Sequence, residues 1–227
     1  KTLVDDLRLT FDNLRTYDIK LNPEKCVFCV PAGKLLGFIV SGRGIEANPA
    51  KIRALSQLDI PKDLKQIQKL TGYMAALSRF ISRLGEKALP LYRLLRRTEH
   101  FEWTDAATAG LEEIKAILAT NPVLVAPNIC EPMLLYIAAT HQVVSAVLVV
   151  ERETNEHKFP LQKPVYYVST VLTPCKSRYP HYQKIAYAVF MASRKLRHYF
   201  QECSIIVASE VPLNDIINNR DATGRIA

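Results

Sequence analysis

Apolar residues recur along this chain with two different periods, and the change of period divides it. Leu7, Phe11 and Leu14 fall at i, i+4 and i+7, which predicts an amphipathic helix over residues 3–16. Asn22-Pro23 then breaks helix, and residues 26–30 alternate apolar and polar like a strand. Pro31-Ala32-Gly33 reads as a turn and residues 35–41 as a second strand, closing a hairpin that Gly42 and Gly44 end. Helical spacing returns after that. Asn48-Pro49 and Ile60-Pro61 mark two helix starts, because proline fits the first helical turn and disfavours helix at the residue before it. Ile67, Leu70, Met74, Leu77, Ile81 and Leu84 form one apolar stripe, predicting a continuous helix over 63–84. Thr104 or Asp105 caps a further helix carrying Leu111, Ile114 and Leu118, stopped by Asn121-Pro122.

After Pro127 the texture becomes β-rich. Residues 133–138, 143–150 and 165–169 read as strands, 183–200 as a helix with Val189, Ala192, Leu196 and Tyr199 on one face, and 204–208 as another strand. A further helix is expected near Pro212. The order β-β-β-α-β suggests a separate α/β domain, so the fold expected is mixed α+β and α/β: helix and hairpin, a helical middle, then an α/β domain.

Composition changes this picture little, and charge changes it more. The purely apolar runs, such as 143–150, are too short to span a bilayer, and the charged amphipathic start is unlike a signal peptide. An intracellular setting, cytoplasmic particle or nucleus, is therefore expected rather than secretion or a membrane. The five cysteines, at 26, 29, 130, 175 and 203, are odd in number and unevenly spaced, which argues for a reducing compartment. Cys26 and Cys29 form one CxxC without a second pair nearby; two thiols on a hairpin and one half of a metal site are both open readings. The net charge of +8 is concentrated. Lys62, Lys65, Lys69, Arg79, Arg83, Lys87, Arg93, Arg96 and Arg97 face only Asp63 and Glu86, a net +7 between Pro61 and Arg97. Such a block suits a polyanion, most economically nucleic acid, or else a solvated surface.

Wound at 3.6 residues per turn, residues 63–84 place Lys65, Lys69, Gly72, Ala76, Arg79 and Arg83 on one narrow stripe opposite the apolar one. Two small residues flanked by four cations suit a helix lying along a nucleic-acid groove, with the cations reaching phosphates and no base being read. The alternative is a helix packed on both faces, its small residues against a neighbour.

These residues resemble the thumb of retroviral and gypsy-type reverse transcriptases. Ile67-Gln68-Lys69-Leu70-Thr71-Gly72 is similar to the thumb helix that follows the minor groove of primer–template, and the resemblance makes Gln68, Gly72 and Ala76 groove-facing. Leu21-Asn22-Pro23-Glu24-Lys25-Cys26-Val27-Phe28 and Leu35-Leu36-Gly37-Phe38-Ile39-Val40-Ser41 resemble the hairpin that ends the palm, with Leu36-Gly37-Phe38 at the primer grip. Leu77-Ser78-Arg79-Phe80-Ile81, Phe101-Glu102-Trp103-Thr104 and Pro122-Val123-Leu124 continue the likeness in order. The resemblance implies a palm end at 1–45, thumb and connection helices at 46–126, and a truncated RNase H-like domain at 127–227. The source implied is a gypsy-type LTR retrotransposon Pol polyprotein of a plant lineage that carries a second RNase H downstream.

Polymerases of that family hold two Mg²⁺ ions on a Tyr-x-Asp-Asp turn. The one Asp-Asp here, Asp5-Asp6, falls inside a helical pattern, so polymerase activity is not expected. RNase H likewise needs clustered carboxylates. The resemblance puts the first at Ala138 in Leu134-Leu135-Tyr136-Ile137-Ala138-Ala139-Thr140, the second at Ile185 in Gln183-Lys184-Ile185, and the third at Ser209 after Ile205-Ile206-Val207-Ala208. Glu210, Glu131 and Asp215 stand nearby in sequence. The expectation is a non-catalytic segment that grips RNA–DNA hybrid or primer–template beside the rest of the polyprotein, with Mg²⁺ used only by the intact parent enzyme. Arg194, Lys195, Arg197 and His198 are further candidates for touching a hybrid backbone. The alternatives are an active hybrid nuclease with displaced carboxylates and an inert remnant of a truncated element.

Overall fold

The computed structural model describes residues 2–95, 101–153 and 159–214, which fall into two compact units, Lys1–Gly33 and Lys34–Ala227. Arg96, Arg97 and Asp215 lie outside the described residues, as does most of the helix expected near Pro212.

The small unit is built on helix α1 (Leu3–Thr16). Thr2 and Asp5 form a capping box, each side chain accepting the other's backbone N–H, so the first orphan donors of the helix are satisfied. Leu7, Phe11 and Leu14 are the half-buried positions of α1, as their spacing predicts, and Phe11 meets Phe28 edge-on at 6.3 Å. Asp5 and Asp6 sit in the first turn of this helix, and the Thr2 hydroxyl and backbone hold the Asp5 carboxyl below the usual range. The expected strand over 26–30 does not form. Asn22 instead caps a 3₁₀ turn, Pro23–Lys25, and the following residues run on without a ladder.

The hairpin comes one step later than expected. Strands β1 (Ala32–Leu35) and β2 (Phe38–Ser41) turn at Leu36-Gly37, not at Pro31-Ala32-Gly33, and the boundary between the units falls inside β1. Both turn residues have positive φ, 49° and 84°, the geometry of a type I′ turn whose twist matches its strands. A leucine in the left-handed region is an uncommon turn former, which is why local sequence points elsewhere. Gly42 and Arg43 then turn the chain into β3 (Gly44–Ala47), where a Cβ on Gly44 would fall 2.2 Å from the Leu124 carbonyl oxygen. That close approach lets β4 (Val123–Leu124) complete a sheet of order β1-β2-β3-β4.

Helices α2 (Pro49–Ser56), α3 (Leu64–Leu77), α4 (Leu84–Lys87), α5 (Leu89–Arg93) and α6 (Asp105–Ala119) pack beside that sheet. Asn48, Asp63 and Thr104 accept backbone N–H groups as side-chain caps of α2, α3 and α6. Their shared core holds Leu55, Ile67, Leu70, Met74, Leu77, Phe80, Ile81, Leu91, Ile114 and Leu118, all essentially inaccessible to water.

The second sheet contains β5 (Met133–Ala139), β6 (Val143–Arg152), β7 (Leu161–Val171) and β8 (Ile205–Ala208) in the order β7-β6-β5-β8. Neighbours are antiparallel except β8, which runs parallel to β5 after a helical crossover through α7 (Pro174–Ser177), α8 (His181–Lys195) and α9 (Arg197–Glu202). The single helix expected over 183–200 is thus broken at Leu196. The side of α8 turned to the sheet is Lys184, Ile185, Ala188 and Ala192, with Val189 only half-buried. The Lys184 ammonium donates to the His141 carbonyl at 3.1 Å, tying the start of α8 to the β5–β6 turn.

Helical layer and second sheet belong to one unit. The Gly85 N–H donates to the Ser169 hydroxyl at 2.8 Å, and Ser169 shares a hydrogen bond with Ser145 at 3.0 Å. A Cβ on Gly85 would lie 2.6 Å from that hydroxyl oxygen and 2.8 Å from Val143. Arg93 also donates to Gln142, and Val125 N–H to the Pro164 carbonyl.

Candidate nucleic-acid interface

Helix α3 starts where Asp63 takes the Gln66 N–H at 2.8 Å and the Gln66 amide returns to the same carboxylate. Ile67, Leu70, Met74 and Leu77 are its buried face. Lys65, Gln68, Lys69, Gly72 and Ala76 are all exposed. A Cβ built on Gly72 meets nothing within 4 Å. Gly72 therefore sits against no neighbouring helix among the described residues, and Ala76 is exposed.

The six-residue stripe is shorter than its spacing implies. α3 ends at Leu77, Ser78–Phe80 forms a 3₁₀ turn, and Arg83 takes a left-handed φ of 52°. The chain bends here because Gly85 has to reach Ser169 and Val143, a tertiary contact that outweighs local helical spacing. Arg83 pairs with Glu86 and leaves the row. Arg79 is half-buried, its guanidinium 4.3 Å from the Phe38 ring centroid and 5.0 Å from that of Tyr166. Guanidinium groups held on ring faces gain from the ring quadrupole, so Arg79 is a fixed positive charge rather than a swinging one.

Leu36, Gly37 and Phe38 share the β1–β2 turn and the first position of β2. Leu36 stands at the tip, 88% exposed, while Phe38 packs at 5.9 Å on Phe80 beneath Arg79, with Lys51 5.6 Å from its centroid. The turn is thus tied to the end of α3 through one aromatic ring. Tyr166 receives a second cation, Lys195 at 5.8 Å, whose ammonium is held below the usual lysine range by partial desolvation and by the Arg79 charge. Burial pushes the Tyr199 phenol up, with Arg79 opposing. No local pattern joins residues 38, 79, 166 and 195.

The three positions at which the resemblance expects carboxylates lie on β5, on α8 and just after β8. Along β5, Met133, Leu135, Ile137 and Ala139 turn to the core shared with α8, so alternation puts Ala138 on the opposite face, opposite Ser145 in register. Ile185 is buried at 4% exposure in α8. Ser209 follows β8, its hydroxyl accepting the Val211 N–H at 3.1 Å. Glu131 is engaged by both sides of the Arg152 guanidinium, at 3.0 and 2.9 Å, and that hydrogen bonding holds its carboxyl low. Among the described residues no three His, Cys, Asp or Glu side chains are grouped to hold a metal ion. Cys26 lends its thiol to the Asn22 carbonyl and Cys29 is exposed. No described helix is long and apolar enough to cross a membrane.

Residues 103–207 match the family described as the RNase H-like domain found in reverse transcriptase. The match starts ahead of the second sheet, at the cap of α6. The retrovirus-related Pol polyprotein from transposon 297 of Drosophila melanogaster is 26% identical over 212 residues, 91% of this chain and 19% of that polyprotein. The Tf2-3 transposon polyprotein of Schizosaccharomyces pombe is 25% identical over 223 residues, 98% of this chain and 16% of its own length. The chain thus spans a fifth or less of these two curated relatives. A foamy viral protease-reverse transcriptase in complex with RNA/DNA hybrid superposes with a TM-score of 0.76 at 18% identity, over 97% of this chain and 30% of that one. The mixed α/β fold with two sheets thus resembles part of the foamy viral protease-reverse transcriptase, and by sequence the chain is similar to a segment of retroelement polyproteins.

Proposed function

We propose that this chain is a non-catalytic, nucleic-acid-binding and scaffolding segment of a gypsy-type LTR retrotransposon polyprotein, of the plant lineage its motifs resemble. Residues 1–45 act as the palm end, 46–126 as thumb and connection, and 127–227 as an RNase H-like domain without its chemistry. The observation that carries this reading is the outward face of α3, where Gly72 and Ala76 are open and Lys65 and Lys69 precede them on the same stripe. Small residues let the helix backbone come close to a groove floor while the lysines one and two turns before them reach phosphates. Gln68 lies on the same face and can donate to groove-edge acceptors. Leu36 at the hairpin tip and the ring-held Arg79 then position the strand that leaves the groove.

The partner is an RNA–DNA hybrid or primer–template duplex, alongside the remainder of the polyprotein, inside the cell. The chain itself uses no cofactor, because Ala138, Ile185 and Ser209 offer nothing to a divalent ion; Mg²⁺ serves the polymerase and nuclease centres of the intact parent. Incubation of the chain with end-labelled hybrid and Mg²⁺ at two salt concentrations tests both parts of this reading. A salt-sensitive shift with intact RNA is expected. RNA cleavage lost on adding EDTA would instead establish an active nuclease, and neither shift nor cleavage would establish an inert fragment.

A further inference from the structure

Residues 159–201 contain seven lysines and arginines and no aspartate or glutamate. The structure gathers part of that charge around a helix face α3 does not share. On α8, Tyr182, Ala186, Phe190 and Arg194 recur every fourth residue and make one outward ridge, opposite the buried Lys184, Ile185, Ala188 and Ala192. Tyr182 is 42% exposed and Phe190 53%, large apolar surface for an outward face. Cations attend Phe190 and its half-buried neighbour Tyr187. Arg194 lies 5.8 Å from the Phe190 centroid, and Lys176 lies 4.3 Å from that of Tyr187 while donating to its hydroxyl at 2.8 Å. Tyr187 and Phe190 themselves stand 6.3 Å apart.

We infer that this ridge binds single-stranded nucleic acid, with bases stacking on Phe190 and Tyr182 and phosphates meeting Arg194, Lys176 and Arg178. Open rings set among cations, with no acid along 43 residues of chain, are the two elements of a sequence-tolerant single-strand surface: a stacking platform and a positive track. An acidic protein would be attracted by the charge but has less use for exposed rings. A duplex would use the charge and leave the rings idle, since its bases are already stacked. Tyr182 and Phe190 are separated by about 12 Å along the axis, eight residues at the helical rise, which leaves room for more than one base between them. This inference stands on α8 and is independent of the reading of α3.

The test uses the full chain with an oligodeoxythymidine probe. In Phe190→Trp the new indole is expected to be quenched by the oligomer, beyond any change in the parent, where Trp103 is the only tryptophan. The Tyr182→Ala/Phe190→Ala pair is expected to weaken oligomer binding by about tenfold, in fluorescence anisotropy at low salt, with an unchanged circular dichroism spectrum. Duplex binding by the same pair is expected to equal that of the parent. Equal oligomer affinity of the pair and the parent would overturn the inference, as would equal quenching by polyglutamate or by duplex. Lys65→Glu/Lys69→Glu separates the two proposals. If it loses duplex and keeps the indole quenching, both stand; if the parent binds no duplex yet quenching occurs, only the reading of α3 fails.

Discussion

Helices α3 and α8 are nearly equal in length, 14 and 15 residues, and each buries one stripe against its own layer, yet their outward faces differ in kind. α3 shows water three small residues, Gly72, Ala75 and Ala76, with two lysines and two glutamines. α8 shows water two aromatic rings with a histidine, an arginine and a lysine. Both faces are basic, so net charge alone does not tell them apart. The side chains between the charges do, because an open backbone suits a rigid groove and a bare ring suits an unpaired base. The inward faces differ as well. α3 buries the branched and long side chains of a helical core, whereas α8 lies on a sheet through two alanines, Ile185 and the hydrogen-bonded Lys184.

The largest effect is expected from Ile185→Glu, which puts a carboxylate into a site 4% exposed with no cation assigned to it. An unpaired buried charge costs about 4 kcal/mol or more, read as a drop in urea midpoint. A variant as stable as the parent would mean that this side of α8 is open to water and the contrast with α3 is false. Next comes Gly85→Val, which crowds Ser169 and Val143 and is expected to cost about 1–3 kcal/mol by the same measurement. No loss there would mean that the bend after α3 relaxes freely.

Smaller effects bear on the faces themselves. Ala76→Phe is expected to change stability by no more than about 0.5 kcal/mol, since its surroundings are open, while lowering duplex affinity and sparing single-strand binding. In Lys65→Ala/Lys69→Ala the slope of log affinity against log salt is expected to flatten by about 1.8 for duplex if both lysines reach phosphates. The smallest effect concerns pH. Arg152 holds the Glu131 carboxyl low, so the pair stabilises the fold above the ordinary glutamate range and that stability is lost as pH falls through the folded value. The melting temperature of the parent is expected to fall more steeply on acidification than that of Glu131→Gln.

The residues that announce themselves in sequence are those whose structure is set by near neighbours. Asn48 and Thr104 cap helices at their own doorsteps, and the apolar, β-rich runs at 133–138 and 143–150 suffice to place β5 and β6, whereas α3 starts at Leu64, after its Asp63 cap, rather than at Ile60-Pro61. The buried stripe of α3 is of the same kind, and so is its open face, because both follow from 3.6 residues per turn. What escapes is set from afar. Leu77, Ile81 and Leu84 keep helical spacing and are all buried, yet the helix between them is broken for a contact to residues 143 and 169. The hairpin turn is misplaced for a different reason, since Leu36 takes a left-handed conformation that its side chain does not advertise. Arg79 is legible as a cation and illegible as a partner of Phe38 and Tyr166, which reach it from separate layers.

The contact of Gly85 with Ser169 and Ser145 also bears on how such a protein can be cut and recombined. The change of texture after Pro127 invites a splice at that point, with a helical half from one element and a sheet half from another. Such a graft would inherit a glycine selected for one pair of hydroxyls and set it against whatever the new sheet carries there. A larger residue at 143 or 169 would crowd Gly85, and a residue without a hydroxyl at 169 would strand its N–H. The two halves are therefore expected to exchange between elements only as a matched pair, with Gly85, Val143, Ser145 and Ser169 travelling together.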